Sequence, residues 1–174
     1  SRGLGDVYKR QIPLVSILVP CYNVERYLRE CMDSIVAQTL KDIEILCLND
    51  GSTDGTLSIL KEYAAADSRI RIIDKPNSGY GATMNIGLAN AKGKYVGIVE
   101  SDDWIEKDMF EQLYTAAEKH NLDFVRCLYT IHDEVENKVE VYHFPEMYDC
   151  DVPFCPKEQK KIFYMAPAIW AALY

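Results

Sequence analysis

From Leu14 onward the chain repeats one pattern: a short unbroken apolar run, a polar cluster, then a stretch where apolar residues recur every three or four positions. Unbroken apolar runs suit strands buried on both faces, and 3.6-residue periodicity suits the helices that cover them. The pattern therefore predicts an α/β fold of βα units around a largely parallel sheet. The predicted strands are LVSILV, IEILCLN, RIRII and KYVGIV, with DFVRCLYTI as a further strand. Between them, Asn23 is expected to cap a helix whose apolar face is Leu28, Cys31, Met32, Ile35 and Val36. The next helix carries Leu57, Leu60 and Ala64, a small-residue helix runs through Ala91, and another spans about Glu106 to His120. Beyond it the regularity weakens, and HDEVENKVEVYHF reads as a β-hairpin turning near Asn137, followed by a short helix in KEQKKIFYM.

At 174 residues with 48% hydrophobic and 26% charged positions, the chain has the size and composition of one globular domain. Residues 1–11 carry no periodicity and read as a leader of vector origin, which leaves 12–174 as the domain. The net charge of −8, with no long run of Lys or Arg, argues against nucleic acid as a partner. No run approaches the roughly 20 apolar residues of a membrane helix, so the expected location is the cytoplasm or the inner face of a membrane. Of the six cysteines, Cys21, Cys31, Cys47 and Cys127 lie in or beside apolar segments and read as core residues, while Cys150 and Cys155 are the one pair placed to join.

Candidate chemistry sits at strand ends. CYN at 21–23, NDGSTD at 49–54 and ESDD at 100–103 each follow a predicted strand, and in a parallel sheet the carboxyl ends share one rim, where ligands bind. Asp50, Asp102 and Asp103 are thereby expected around one crevice. Three carboxylates within four residues repel one another unless a cation compensates, which suggests magnesium or manganese bridging to a diphosphate. Each cluster taken singly also reads as a turn or helix cap. There is no GxxxxGK[ST], the GxG of Gly79 and Gly81 lacks a third glycine, and His120, His132 and His143 show no metal or nucleophile spacing.

In order and spacing, LVSILVP, CYNVERYLRECMDSIVAQT, NDGSTDGT and PNSGYGATMNIGLANAKGKYVGIVESDDW resemble the nucleotide-sugar-binding half of a family 2 glycosyltransferase of the GT-A fold, over roughly Pro13 to Cys127. The resemblance implies inverting transfer of a sugar from a nucleotide donor, a UDP-sugar, to a glycan or lipid-linked acceptor of the surface-polysaccharide type. It places Pro20, Tyr22 and Asn23 in the base and ribose pocket, with Asp50, Gly51 and Ser52 beside them and Asp50 accepting from uracil N3–H. It gives Asn77, Gly79 and Asn85 to the donor loop, Asp102 to ribose and metal, and Asp103 to the metal directly. Two departures stand out: Glu100 where the family usually has Asp, and Met84 where many relatives have Arg, which would leave donor charge to the cation. The catalytic base of the family follows a segment like APAIWAALY, so it is expected beyond Tyr174. Asp149 and Asp151 lack its surroundings. Two readings follow: a transferase domain cut short before its base, or a module that binds a nucleotide-sugar without transferring it. A sugar-nucleotide pyrophosphorylase would open with a glycine-rich loop where CYNVER stands.

Overall fold

The computed structural model describes residues 12–133, 138–142, 153 and 172–174. Among these residues the main sheet has six strands, in the order β3 (Ile70–Lys75), β2 (Ile43–Asp50), β1 (Val15–Cys21), β4 (Tyr95–Ile98), β8 (Ala172–Leu173) and β5 (Val125–Arg126). Its parallel part comprises β1, β2, β3 and β4. These are the four strands expected from the apolar runs, and every residue of β1 is buried. Helices α1 (Leu28–Val36), α2 (Thr56–Ala66), α3 (Tyr80–Asn90) and α4 (Met109–His120) connect and cover them. On one face Ile17, Val19, Ile45 and Cys47 pack with Leu28, Met32, Ile35, Leu60 and Phe110. On the other, Leu18, Leu46 and Leu48 meet Met84 of α3 and Ile98. Helix α3 comes that close because Gly87 has no side chain: a Cβ there would lie 2.6 Å from Leu48 Cδ1.

Chain order reverses at β1. Strands β1, β2 and β3 step outward one way, and the chain then crosses to place β4 on the other flank of β1. The β1–β4 pairing stops at Leu18 and Ile98, while β1 continues with β2 to Cys21 and Asn49. Leu18 O still accepts from Val99 N at 3.0 Å; Pro20, two residues on and on the same edge, has no N–H with which to continue. The two strands part there, opening a crevice at the switch point where α/β sheets bind ligands.

Three expectations need correction. The segment DFVRCLYTI is two strands, β5 (Val125–Arg126) and β6 (Tyr129–Asp133), broken at Cys127 and Leu128. Strand β6 leaves the main sheet and pairs antiparallel with β7 (Lys138–Tyr142), which is the expected hairpin. A short strand, β8 (Ala172–Leu173), lies antiparallel between β4 and β5, where no strand was expected. Asn23 caps no helix: α1 begins at Leu28 behind Tyr27, with no side-chain cap. The expected helix at KEQKKIFYM, Cys150 with Cys155, Asp149, Asp151, His143 and the leader lie outside the described residues. Cys21, Cys31 and Cys47 are buried free thiols, as the pattern suggested.

Candidate functional site: a cleft at the strand switch point

The three polar clusters meet in one cleft of about 470 Å³. Pro20, Cys21 and Tyr22 reach it from the end of β1, Asp50 from β2, Asn77, Gly79, Tyr80 and Thr83 from the start of α3, and Glu100, Ser101 and Asp102 from the turn after β4. A depression of similar size along α4, among Asp108, Glu111, Lys119 and His120, receives none of the clusters.

The first two clusters are stitched to each other by backbone donors. Asn23 stands in the left-handed region at φ 52°, and its Oδ1 accepts from Thr53 N at 2.8 Å. Asn23 N donates to Ser52 Oγ (3.1 Å), Val24 N to Thr56 Oγ1 (2.9 Å) and Glu25 N to Asp54 Oδ2 (3.1 Å). The polar side chains of CYNVE and DGSTDGT thus satisfy each other's amides, and Asn23 and Ser52 shape the rim instead of lining the cleft. Gly51 is required at the turn: its φ is +69°, and a Cβ would lie 2.6 Å from Asn77 N.

Asp50, 4% exposed, is the most heavily bonded carboxylate of the cleft. Its register partner across the β2–β3 ladder is Lys75, whose ammonium pairs with Oδ1. Oδ1 also accepts from Ser78 N at 2.8 Å, and Oδ2 from Gly79 N at 3.0 Å. Burial pushes this carboxyl up, but the Lys75 hydrogen bond, the Ser78 amide and the Lys75 charge outweigh it, holding Asp50 below the ordinary carboxylate range. Gly79, at φ +85°, turns its amide onto Asp50 while heading α3.

The segment that leads from the acidic turn into α4 is held by Ser34 of α1 and by Gln38 just beyond its end. Buried Gln38 donates to Glu106 O (2.8 Å) and accepts from Phe110 N (3.2 Å), while Ser34 Oγ accepts from Ile105 N (3.2 Å). Within the turn the carboxylates diverge. Glu100 uses its extra methylene to accept from Tyr80 Oη at 2.6 Å. Asp102 is exposed in the cleft, and Asp103 is half-buried with its N–H on Glu100 O at 3.0 Å. Burial and then the Asp102 charge raise the Asp103 carboxyl. Burial also raises Glu100, opposed by the Tyr80 hydrogen bond and supported by repulsion from Asp102 and Asp103. Among the described residues, no group of three or more His, Cys, Asp or Glu side chains is gathered as for a metal ion. Asp102 lines the cleft and Asp103 does not; magnesium commonly takes one or two carboxylates and leaves positions for phosphate oxygens, a set these two adjacent residues could supply.

Met84 faces the core between Leu18 and Leu48, 7% exposed, so position 84 serves packing here. Asn85 is exposed on α3 and does not line the cleft. Sequence reasoning missed Lys75 and Tyr80. Lys75 was findable, since β2 and β3 both end on a charged residue and the charges are opposite.

A parallel sheet with its cleft at the switch point, acidic groups at the strand ends and helices on both faces is the GT-A arrangement. Residues 16–167 match the model of glycosyl transferase family 2, and the chain belongs to that family. It is 47% identical over 116 residues to an uncharacterized glycosyltransferase, EpsJ, of Bacillus subtilis, covering 67% of this chain and 34% of that one. It is 37% identical over 147 residues to the chondroitin synthase of Pasteurella multocida, covering 82% of this chain and 15% of that one. Among solved structures, residues 1–349 of S. aureus TarS in complex with UDP-GlcNAc align with a TM-score of 0.61 and 31% identity, covering 64% of this chain and 33% of that one. The chain therefore spans about a third or less of the length of these relatives. No helix among the described residues is long and apolar enough to cross a membrane.

Proposed function

We propose that the cleft binds the nucleoside diphosphate of a UDP-sugar together with a divalent cation, as the donor site of an inverting glycosyltransferase. The observation that carries this is the convergence of the β1, β2 and β4 ends on one cleft, with an ionised, nearly saturated Asp50 at one side and Asp102 at the other. An imide N3–H of uracil can donate to Asp50, whereas the unprotonated N3 of cytosine cannot. Tyr22, 52% exposed at the rim, offers an aromatic face to the base. Asp102 and Asp103 would hold magnesium or manganese, which when bound neutralises diphosphate charge and the leaving nucleotide. Relatives named for UDP-GlcNAc binding and chondroitin synthesis support a UDP-sugar and a polysaccharide-type acceptor. On this reading residues 12–174 form one donor-binding domain, and the acceptor site and the carboxylate that takes the acceptor's proton belong to the whole protein.

A thermal-shift panel tests this. UDP and UDP-sugars with manganese should raise the melting temperature more than CDP or GDP at equal concentration. Equal shifts for all three diphosphates would refute uracil selection, and no shift for any would refute the donor site.

A further inference from the structure

Resting on the uracil reading above, we propose that Lys75 is a positioning residue for base selection: it leaves Asp50 a single open acceptor, matched to one ligand N–H. An ionised carboxylate has about four acceptor sites. The Lys75 ammonium and Ser78 N–H occupy both sites on Oδ1, and Gly79 N–H occupies one on Oδ2. The Thr83 hydroxyl also hydrogen-bonds Asp50 and helps to lower its carboxyl, but unlike the other three donors it has a second acceptor, Gly79 O at 3.0 Å, to which its one proton can turn when a ligand N–H arrives. One site remains on Oδ2 of a residue that lines the cleft.

Lys75 itself has nothing to give a ligand. Its three N–H donors go to Asp50, to Ser78 Oγ at 2.6 Å and to Pro76 O at 3.3 Å, and its side chain is 12% exposed. It acts through Asp50 in two ways. It fixes the loop whose Ser78 and Gly79 amides complete the carboxylate's shell. It also keeps Asp50 charged, so that the group presents only acceptors. A protonated Asp50 would carry an O–H that could donate to N3 of cytosine, and selectivity would fall.

The experiment is calorimetric titration of UDP and CDP, with manganese present, into the wild type, Lys75→Met, Asp50→Asn and the double variant. Lys75→Met is expected to weaken UDP about tenfold, as a charge-assisted bond becomes an ordinary one, and to bring the UDP to CDP affinity ratio close to one. In the Asp50→Asn background the same change should cost less than about twofold, because the carboxylate it acts through is gone. Lys75→Gln, which keeps a donor toward Asp50 without the charge, should lose less than Lys75→Met and carries the comparison if Lys75→Met does not fold. Equal weakening of UDP and CDP by the Lys75 variants, or an equal loss in both backgrounds, would overturn the proposal and leave Lys75 a purely structural residue. If Asp50→Asn alone leaves the UDP to CDP ratio unchanged, the uracil reading itself fails, and the role of Lys75 falls with it.

Discussion

Asp50 shows how one side chain acquires a specific chemistry from its neighbours. In water its carboxylate would accept from any donor; here three fixed donors restrict it to one more. Asp50→Asn removes the charge and turns half of the group into a donor facing Ser78 N–H or Gly79 N–H. It should weaken UDP about tenfold in a direct titration while the protein stays folded; an unchanged dissociation constant would show that Asp50 does not touch the base. Asp67 tests electrostatics without involving the cleft. Its hydrogen bonds from Arg69, at 2.6–3.1 Å, hold its carboxyl below the usual range despite partial burial. A depressed folded-state value contributes stability that is present above the unfolded carboxyl near 3.9 and lost as pH falls through the folded value. Asp67→Asn should therefore lower stability by about 1 kcal/mol at pH 7 and by much less at pH 2, read by urea unfolding at both. An equal loss at the two pH values would contradict the assignment.

At the scale of elements, the site depends on close approaches that only certain residues allow. Gly51→Ala combines a left-handed backbone with a Cβ 2.6 Å from a backbone nitrogen, and should cost about 1–3 kcal/mol in thermal unfolding. Gly87→Ala keeps a helical backbone and meets the side-chain ends of Leu48 and Leu18 instead of a backbone atom, so its cost, set by how far these buried leucines can shift, should be the smaller of the two; the reverse order would contradict this account of the turn and α3. Gln38→Ala strands Glu106 O and Phe110 N at the entry to α4 and should cost about 2 kcal/mol. The parallel strands and helices α1, α2 and α4 were legible from their apolar runs or stripes, whereas α3, which buries Thr83, Met84 and Gly87, was legible from its small residues. Strand β8 was not: its two residues gain strand geometry from partners at Gly97 and Val125, far away in sequence. Asn23 was misread for a related reason, since a residue suited to capping a helix binds Thr53 N, thirty residues on. The place of the cleft was readable from three polar clusters at strand ends; Lys75 and Tyr80 needed the register and the reach of side chains.

For the whole molecule, a chain of net charge −8 binds a polyanion only where that charge is locally offset. On the Asp50 side the Ser78 and Gly79 amides and Lys75 are already engaged by Asp50, and on the other side exposed Asp102 lines the cleft with half-buried Asp103 next to it in sequence, so on the proposed reading the diphosphate needs a cation to approach. The central claim is therefore tested most directly by titrating UDP into this chain by calorimetry with manganese and again with EDTA, alongside Asp103→Ala. The account predicts tight binding with manganese, at least tenfold weaker binding in EDTA, and an Asp103→Ala variant for which manganese makes little difference. Equal UDP affinity in manganese and EDTA, or a full manganese effect in Asp103→Ala, would contradict it.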